Sequence, residues 1–368
     1  MNFVQSAKEV FFSGVAATER LMNSQDSSSL GEMKNFLLLQ YPSALGTAIH
    51  ATPLIPALRH AVPGCRIAVA AGGFGLNVFR LNPGIDHLIE TPTPLHDLKG
   101  AVATLRGQKL FNGAPYVTVT STGNERTKVA LQAVLSGAAT RVGFTVVPQL
   151  YRKPMSYDRS LSQIANNLRI IEALGHASHH FEPEMCFGDQ DLDDARSTLS
   201  RGGVQQGQPV VVFVTQTSVT QRKGWRAERF REAACFLTGR YGAHILFVGT
   251  AAEAAAIDEL RGGLDFPTTS VAGKTSLSQL AALMSLCQAG LTLDTGPLHI
   301  GRAVGLPMVI IAPAWSPPIE WLPVGDSRFR ILKNADMPSA PPDYIIDEVA
   351  VEEVKDALAD LIACYPMR

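Results

Sequence analysis

Four residues between two apolar runs have the side chains and the spacing to bind an anion. In LTLDTGPLHIGRAVG, residues 291–305, Asp294, Thr295 and Gly296 follow one apolar run, and His299 comes three residues later. The first amides of a helix have no intrahelical partner and carry positive potential, so a helix beginning here would attract a phosphate. A glycine lets the phosphate approach the backbone, and the threonine hydroxyl adds a donor. The alternative is that Asp294 or Thr295 only caps the helix, which leaves Gly296 and His299 unexplained.

A second polar segment, TQTSVTQRKGWRAERF, follows an earlier apolar run. Ser218, Thr220 and Lys223 would lie at a strand end or in the loop after it, where Lys223 can supply a cation to a diphosphate. A solvated loop lysine is the alternative for Lys223. Trp225 is expected to fix this loop by packing. Glu253, after the next apolar run, is placed to accept hydrogen bonds from a ribose diol.

Apolar strands alternate with amphipathic helices through both halves of the chain, and these elements must position the polar residues. NFLLLQYPSALGTAIHATPLIPALRHAVPGCRIAVAAGG reads as strand, loop, helix and strand, which predicts a parallel sheet, and a second such series starts with PVVVFVTQ. At 368 residues the chain exceeds one ordinary core. We therefore predict an α/β protein with two Rossmann-like, doubly wound parallel-sheet domains facing a cleft, where ligands bind beyond the strands' carboxyl ends. The predicted segments are an extension over 1–34, a first domain over 35–190, a second domain over 205–348 and a C-terminal helix over 349–368.

Composition argues against several other classes of protein. A net charge of −1 does not suit a nucleic-acid binder that neutralises phosphates over a broad face. Five scattered cysteines are typical of reduced cytosolic thiols. No secretory signal and no apolar run of the roughly 18–20 residues that span a bilayer is recognised. The acids of DQDLDD, residues 189–194, are expected to favour a helix N-terminus rather than to hold a metal.

Four segments resemble glycosyltransferase family nine, the heptosyltransferases. LDTGPLHIGRAVGLPMVIIAPAW is similar to the family's Asp-Ser/Thr-Gly-x-x-His stretch, and KGWRAERF to its Lys-x-Trp-Pro motif, with Arg226 in place of the proline. LLLQYPSALGTAIHATPLIPALR resembles the family's opening strand, loop and helix, and IDEVAVEEVKDAL its closing helix. The resemblance implies a GT-B fold and transfer of a heptose from ADP-heptose to a sugar hydroxyl, with inversion and without a metal or other cofactor.

The resemblance places the donor contacts in the second half of the chain. The implied contacts are Ser218 and Lys223 to the phosphates, Glu253 to the ribose, Asp294 to heptose hydroxyls, and Thr295, Gly296 and His299 to the diphosphate.

The first half departs from the family at two charged positions. Thr47 stands where the family's Ser-x-Leu-Gly-Asp loop has the aspartate proposed as general base, and Tyr41 stands where an arginine is usual. The positions carried over as acceptor contacts are Tyr41, Ser43, Gly46, Arg126 and Lys128.

A threonine hydroxyl stays protonated at neutral pH, so Thr47 can orient an acceptor but cannot take its proton. His50 lies one helical turn further on, with a pKa suited to a base, and a structural histidine is its alternative. Asp97 in PLHDLKG is a second candidate for the base.

The predicted partners are a nucleotide-sugar donor and a glycan or glycoconjugate acceptor of the lipopolysaccharide type. The predicted location is the cytoplasm, with possible peripheral association at the inner face of the cytoplasmic membrane. A catalytically silent nucleotide-sugar-binding subunit and a nucleotide-sugar epimerase of the same fold are the alternatives.

Overall fold

The computed structural model describes residues 12–15, 17, 29–217 and 222–365. The chain divides into a first unit, Met1–Glu184, and a second unit, Met185–Arg368. Ser218 and Thr220, two of the predicted donor contacts, lie outside the described residues.

Strands and helices alternate in the first unit. Its strands are β1 Asn35–Gln40, β2 Arg66–Ala71, β3 His87–Glu90, β4 Val117–Thr120, β5 Thr140–Phe144 and β6 Lys153–Met155. Its helices are α1 Leu45–Ile49, α2 Leu54–Ala61, α3 Phe74–Phe79, α4 Leu98–Gly107, α5 Thr127–Leu135 and α6 Gln163–Ala173.

The second unit repeats the pattern and ends in a long helix. Its strands are β7 Val210–Val214, β8 His244–Phe247, β9 Thr268–Ser270, β10 Ala289–Leu293, β11 Met308–Ile311 and β12 Phe329–Leu332. Its helices are α7 Asp189–Arg201, α8 Ala227–Tyr241, α9 Ala254–Gly262, α10 Leu277–Ser285, α11 Gly296–Ala303, α12 Pro318–Trp321 and α13 Val351–Cys364.

Both sheets are parallel, and both reverse their strand order beside their first strand. The first sheet has the order β3-β2-β1-β4-β5-β6, and the second has the order β12-β11-β10-β7-β8-β9. The reversal falls between β1 and β4 in the first unit and between β7 and β10 in the second. The predicted α/β class and the doubly wound parallel sheets are therefore confirmed.

Burial explains why these runs form strands. Every residue of β1 and of β7 is buried, as expected for central strands of a parallel sheet with helices on both faces. In the second unit, α13 places Val354, Leu358 and Leu361 in the same core as the central strands. The C-terminal helix therefore packs on the second unit.

The acidic segment DQDLDD begins helix α7, in line with the predicted preference of its acids for a helix N-terminus. Asp191 lies in the first turn of α7 and accepts a hydrogen bond from the Gly188 amide at 3.0 Å, which satisfies a free helix N–H. Asp191 and Asp194 also accept hydrogen bonds from Ser278 and Gln279 at the start of α10, each at 3.2 Å. These bonds and helix contacts attach α7 to the second unit, so the boundary lies earlier than the predicted 190.

The described residues contain neither a candidate membrane-spanning helix nor a candidate metal cluster. No helix among them is long and apolar enough to cross a membrane. In the same ranges, no cluster of three or more His, Cys, Asp or Glu side chains is arranged to hold a metal ion.

Gly75 lets α3 approach the end of β1. A methyl group added at the Gly75 Cα would overlap the backbone carbonyl oxygen of Gln40. We expect Gly75→Ala to lower the free energy of unfolding by about 1–3 kcal/mol, as overpacking does elsewhere. Denaturant titration measures this loss. Gly107→Ala is the matched control, because nothing lies within 4 Å of its added methyl. Equal stability of the Gly75 variant and the native chain would contradict this packing argument.

Candidate functional site

The strand reversal of the second unit is bridged by an ion pair. Lys223, in the loop after β7, donates from Nζ to Oδ2 of Asp294 at 2.7 Å and to the Asp294 backbone oxygen at 3.2 Å. The side chains are 14% and 4% exposed. Lys223 is therefore held against the end of β10 and is not the solvated loop lysine of the alternative interpretation.

The loop that carries Lys223 has further supports that the sequence did not predict. The Lys223 ammonium lies 5.5 Å from the centroid of the Trp315 ring, a cation–π distance. Trp315 donates from its indole nitrogen to the Arg222 backbone oxygen at 3.0 Å. Arg222 has a φ of 51°, which is unfavourable for a residue with a side chain, and its guanidinium donates to Ala340 O at 2.7 Å. The lysine is therefore held by a fixed backbone.

The N-terminus of α11 follows β10 directly and keeps a buried hydroxyl. Thr295 is the N-cap residue, but its side chain forms no capping hydrogen bond. Among the described residues, the buried Thr295 Oγ1 has no hydrogen-bond partner. Because the Asp294 carboxylate is engaged with Lys223, the structure does not support the interpretation of either side chain as a plain helix cap. A buried hydroxyl beside a positive helix end can donate to an anion.

His299 lies one turn into α11 and is neutral at neutral pH. Burial lowers the pKa of His299 to about 4; the positive charges of Arg302 and Lys223 act in the same direction, while Asp294 opposes them. The ring is 5% exposed and its centroid lies 6.0 Å from that of Trp321. At this position His299 can offer a hydrogen bond but not a positive charge.

Glu253 stabilises its own loop. It closes a short 3₁₀ turn after β8, and its Oε2 accepts the amide of Thr250 at 2.7 Å. The turn lies at the same carboxyl edge as Lys223, since β8 neighbours β7. The predicted contact to a ribose stays a prediction.

Trp225 fixes the loop by packing, as predicted. Its ring is 4% exposed, meets Phe230 edge to face at 4.8 Å, and donates to Val349 O at 3.0 Å. Arg226, where the family has proline, forms an ion pair with Asp347. The loop after β7 is therefore anchored to the segment that leads into α13.

A cavity of about 460 Å³ opens on this loop. It is lined by residues 215–217, 222–225 and 342–345 together with parts of α8 and α9. Among the lining residues, Lys223 places its positive charge beside the end of β10. The cavity places room for a small molecule next to the ion pair.

In the first unit, the loops after β1 and β4 are joined by hydrogen bonds. The Tyr41 amide donates to Asn124 Oδ1 at 2.7 Å, and the Arg126 guanidinium donates to Ser43 Oγ at 3.3 Å. Thr47 in α1 packs so closely on Gly123 that a methyl group added at Gly123 would overlap the Thr47 Cγ2. The structure thus brings Ser43, Thr47 and Arg126 to one place.

Tyr41 belongs to the core rather than to this surface. Its side chain is 3% exposed, and its hydroxyl lies 2.6 Å from Thr91 Oγ1 and accepts from Gln132 Nε2 at 2.9 Å. Burial raises the pKa of Tyr41 above its usual range. The expected acceptor contact by Tyr41 is not supported, because its ring turns into the core. A charged arginine could not be buried there without a partner.

The two candidate bases, His50 and Asp97, lie in positions typical of residues that support the fold. His50 is 1% exposed, and its backbone oxygen accepts Asn167 Nδ2 at 2.9 Å. Asp97 follows β3 at the outer edge of the sheet and caps α4, accepting the Gly100 amide at 2.8 Å. Both placements favour structural roles over proton transfer.

The remaining acceptor candidates differ in access. Gly46 is buried inside α1. Lys128 donates from Nζ to the Leu95 backbone oxygen at 2.6 Å, and its side chain is otherwise exposed. Ser43 and Arg126 stay at the surface of the two joined loops.

Sequence reasoning missed one carboxylate at this place, Glu125. It lies between Asn124 and Arg126, the residues that bind the loop after β1. Burial raises the pKa of the Glu125 carboxyl, although the amides of Gly123 and Glu125 and the charge of Arg126 oppose that shift. The signal in the sequence was an acid within the GNERTK segment, directly after a predicted strand.

Comparison with known proteins bears on the family. A model described as glycosyltransferase family 9 (heptosyltransferase) matches residues 126–340, more than half of the chain. The lipopolysaccharide core heptosyltransferase OpsX of Haemophilus influenzae is 28% identical over 125 residues, which are 33% of this chain and 32% of OpsX. The matched stretch thus spans about a third of the length of that curated relative.

Solved structures bear on the fold. A family 9 glycosyltransferase from Veillonella parvula superimposes with a TM-score of 0.79 at 21% identity, covering 91% of this chain and 99% of the other. An ADP-heptose lipopolysaccharide heptosyltransferase II from E. coli gives a TM-score of 0.70 at 19% identity, covering 89% and 98%. These likenesses confirm the GT-B type of fold with its two doubly wound sheets. On the extent of the family match, this chain belongs to glycosyltransferase family 9, the heptosyltransferase family.

Proposed function

We propose that this protein is an inverting glycosyltransferase that moves a heptose from ADP-heptose to a hydroxyl of a lipopolysaccharide-type glycan. The observation that carries the proposal is the grouping of Lys223, Asp294 and the Thr295 hydroxyl, which has no partner in the described part of the chain, at the start of α11. Family membership and the ADP-heptose named for the E. coli neighbour support the choice of donor.

In the proposed reaction, the diphosphate of the donor lies at the N-terminus of α11. The Thr295 hydroxyl and the first amides of α11 donate hydrogen bonds to it. The Lys223 ammonium, which pairs with Asp294, would also form an ion pair with the phosphate oxygens. The C1–O bond then breaks with its electron pair on the departing ADP. Preorganised donors for such developing charge are worth about 3–4 kcal/mol each in other enzymes. Asp294 would orient the hydroxyls of the heptose.

The first unit would bind the acceptor. Ser43 and Arg126 offer a hydroxyl and a guanidinium at the joined loops after β1 and β4. Lys128 lies close by on α5 and can meet an acidic group. Because Tyr41 and Thr47 carry no charge, we propose an acceptor unlike the phosphorylated inner-core sugar of typical members. We propose that the reaction takes place in the cytoplasm, at the inner face of the membrane that holds such acceptors.

A catalytically silent subunit that binds nucleotide sugars is the second candidate. The observation in its favour is that Thr47 replaces the family's proposed base, while His50 is buried and Asp97 caps a helix. ADP release from ADP-heptose, measured over a panel of acceptors and beside other nucleotide sugars, separates the two. The transferase releases ADP with an acceptor, whereas the silent subunit binds the donor without turnover.

Removing donor contacts should weaken donor binding. We expect Lys223→Ala and Gly296→Val each to raise the Kd for ADP-heptose tenfold or more, because about 1.4 kcal/mol corresponds to a factor of ten. The first removes a cation, and the second blocks approach to the helix amides. Isothermal calorimetry measures the Kd.

The control for this pair is Lys274→Ala, since Lys274 is exposed in the same unit and donates to the Ser270 backbone oxygen. Unfolding curves must show that Lys223→Ala is folded, because it leaves the buried Asp294 carboxylate unpaired. Unchanged affinity in both folded variants would refute the donor site.

Transfer should proceed without a divalent metal. The carboxylate closest to the proposed diphosphate site, Asp294, is engaged by Lys223, which supplies the positive charge a metal would bring. We expect excess EDTA to leave the rate of ADP release within twofold. Loss of turnover that magnesium or manganese restores would show that this proposal is wrong.

The neutrality of His299 predicts how stability depends on pH. An ordinary histidine titrates near pH 6.5, and burial lowers the pKa of His299 to about 4. Between these values the unfolded chain binds the proton more readily, so stability is complete above pH 6.5 and is lost as pH falls toward 4.

Relative to His299→Gln, we expect the native chain to lose about 2 kcal/mol of unfolding free energy between pH 7 and pH 5. Urea titrations at the two pH values measure the difference. Parallel losses in both chains would show that His299 titrates normally.

A further inference from the structure

We propose that Glu125 is the general base that takes the proton of the acceptor hydroxyl, in place of the aspartate that Thr47 replaces. The inference rests on the proposed function, because a base for the acceptor requires the transfer reaction. Its basis is the position of the loop after β4 at the strand reversal and the hydrogen bonds that hold this loop.

Glu125 lies in the loop after β4, one of the two strands at the reversal of the first sheet. Parallel doubly wound sheets bind ligands where the strand order reverses, beyond the carboxyl ends of the strands. In the first unit that point lies between β1 and β4. Thr47 is reached from β1, and Glu125 is reached from β4. The two residues therefore follow the two strands that flank this reversal.

Hydrogen bonds made by the neighbours of Glu125 hold its loop against the loop after β1. Asn124, immediately before it, accepts the Tyr41 amide at 2.7 Å, and Arg126, immediately after it, donates to Ser43 at 3.3 Å. Gly123, two residues before it, packs against Thr47. The residues on both sides of Glu125 are thus fastened to the loop in which the family keeps its aspartate.

The surroundings of Glu125 strengthen its carboxylate as a base. Burial raises the pKa of the carboxyl more strongly than the amides of Glu125 and Gly123 and the Arg126 guanidinium lower it. Tyr151 also senses the charge of Glu125; its hydroxyl lies 2.7 Å from Thr120 Oγ1, and burial raises its own pKa. The net effect is a raised carboxyl pKa, and proton transfer is most effective when the pKa of the base lies near the working pH.

The acceptor proton leaves as the new glycosidic bond forms. The acceptor oxygen forms a bond to C1 of the heptose as the bond from C1 to the diphosphate breaks, and ADP departs with that electron pair. The acceptor O–H bond breaks, and its proton passes to the Glu125 carboxylate. Solvent then removes the proton and restores the base.

Glu125→Gln tests the proposal, because the amide keeps the shape of the side chain and cannot take a proton. We expect kcat for ADP release to fall about 10²–10⁴-fold, with the Kd for ADP-heptose within twofold of the native value. The native rate should fall on the acidic side at a pH above the ordinary glutamate pKa of about 4.3, and the variant should lose that limb. Glu172→Gln, an exposed glutamate on α6, should match the native chain.

Two further variants separate proton transfer from support of the loop. Adding Thr47→Asp to Glu125→Gln places a carboxylate on the opposite wall. The double variant should have a kcat at least tenfold above that of Glu125→Gln alone. Glu125→Asp keeps the charge but withdraws it by one methylene, so it should retain the acidic limb at a reduced rate.

The outcomes distinguish this proposal from the proposed function. Native turnover together with full turnover by Glu125→Gln would overturn the base and leave the transferase standing. A slowed, folded Glu125→Gln that keeps the native acidic limb and is not rescued by Thr47→Asp would also overturn it. A native chain that binds ADP-heptose yet releases no ADP with any acceptor would refute the transferase, and the base with it.

Discussion

The reversal of strand order beside the first strand of each sheet is the constraint on which both candidate sites depend. At a reversal the connections leave in opposite directions, so the loops after two neighbouring strands separate and leave a crevice at the carboxyl edge. In the second unit the two loops carry Lys223 and Asp294, and in the first they carry Thr47 and Glu125. Residues far apart in the sequence come to one sheet edge there because the strands they follow are neighbours in the sheet.

The Lys223–Asp294 pair is better explained by binding than by stability. Removing two charges from water costs several kcal/mol per ion, and their mutual attraction repays this only in good geometry, so a buried pair is weak evidence of stabilisation. Here the lysine also spans the two loops, supported by Trp315 and by the strained Arg222 backbone. A diphosphate would share the same ammonium without requiring it to move far. In the proposed function, the pair holds the cation ready for an anion at the adjacent helix end.

The sequence was sufficient for the sheets and for the placement of Lys223, Asp294 and Thr295 at one sheet edge, because both follow from local pattern. Central parallel strands are continuous apolar runs, and residues directly after them must lie at one edge. Side-chain direction was not readable in this way. Tyr41 turns into the core to meet Gln132, 91 positions further along, and the acids of α7 meet Ser278 and Gln279 of α10. Such choices depend on tertiary partners, which no local periodicity encodes.

The two crevices also differ in how their charges are supplied, and this bears on the chemistry of the chain. The second unit keeps its cation, acid and helix end in the family pattern, whereas the first has lost the acid that follows β1. A crevice has two walls, and a carboxylate carried by either one can reach a hydroxyl bound between them. Glu125 lies on the wall that β4 supplies, with its neighbours hydrogen-bonded to the wall that β1 supplies. An uncharged residue at position 47 therefore does not by itself remove the chemistry of a base, because in the proposed reaction Glu125 takes the same proton from the wall that β4 supplies.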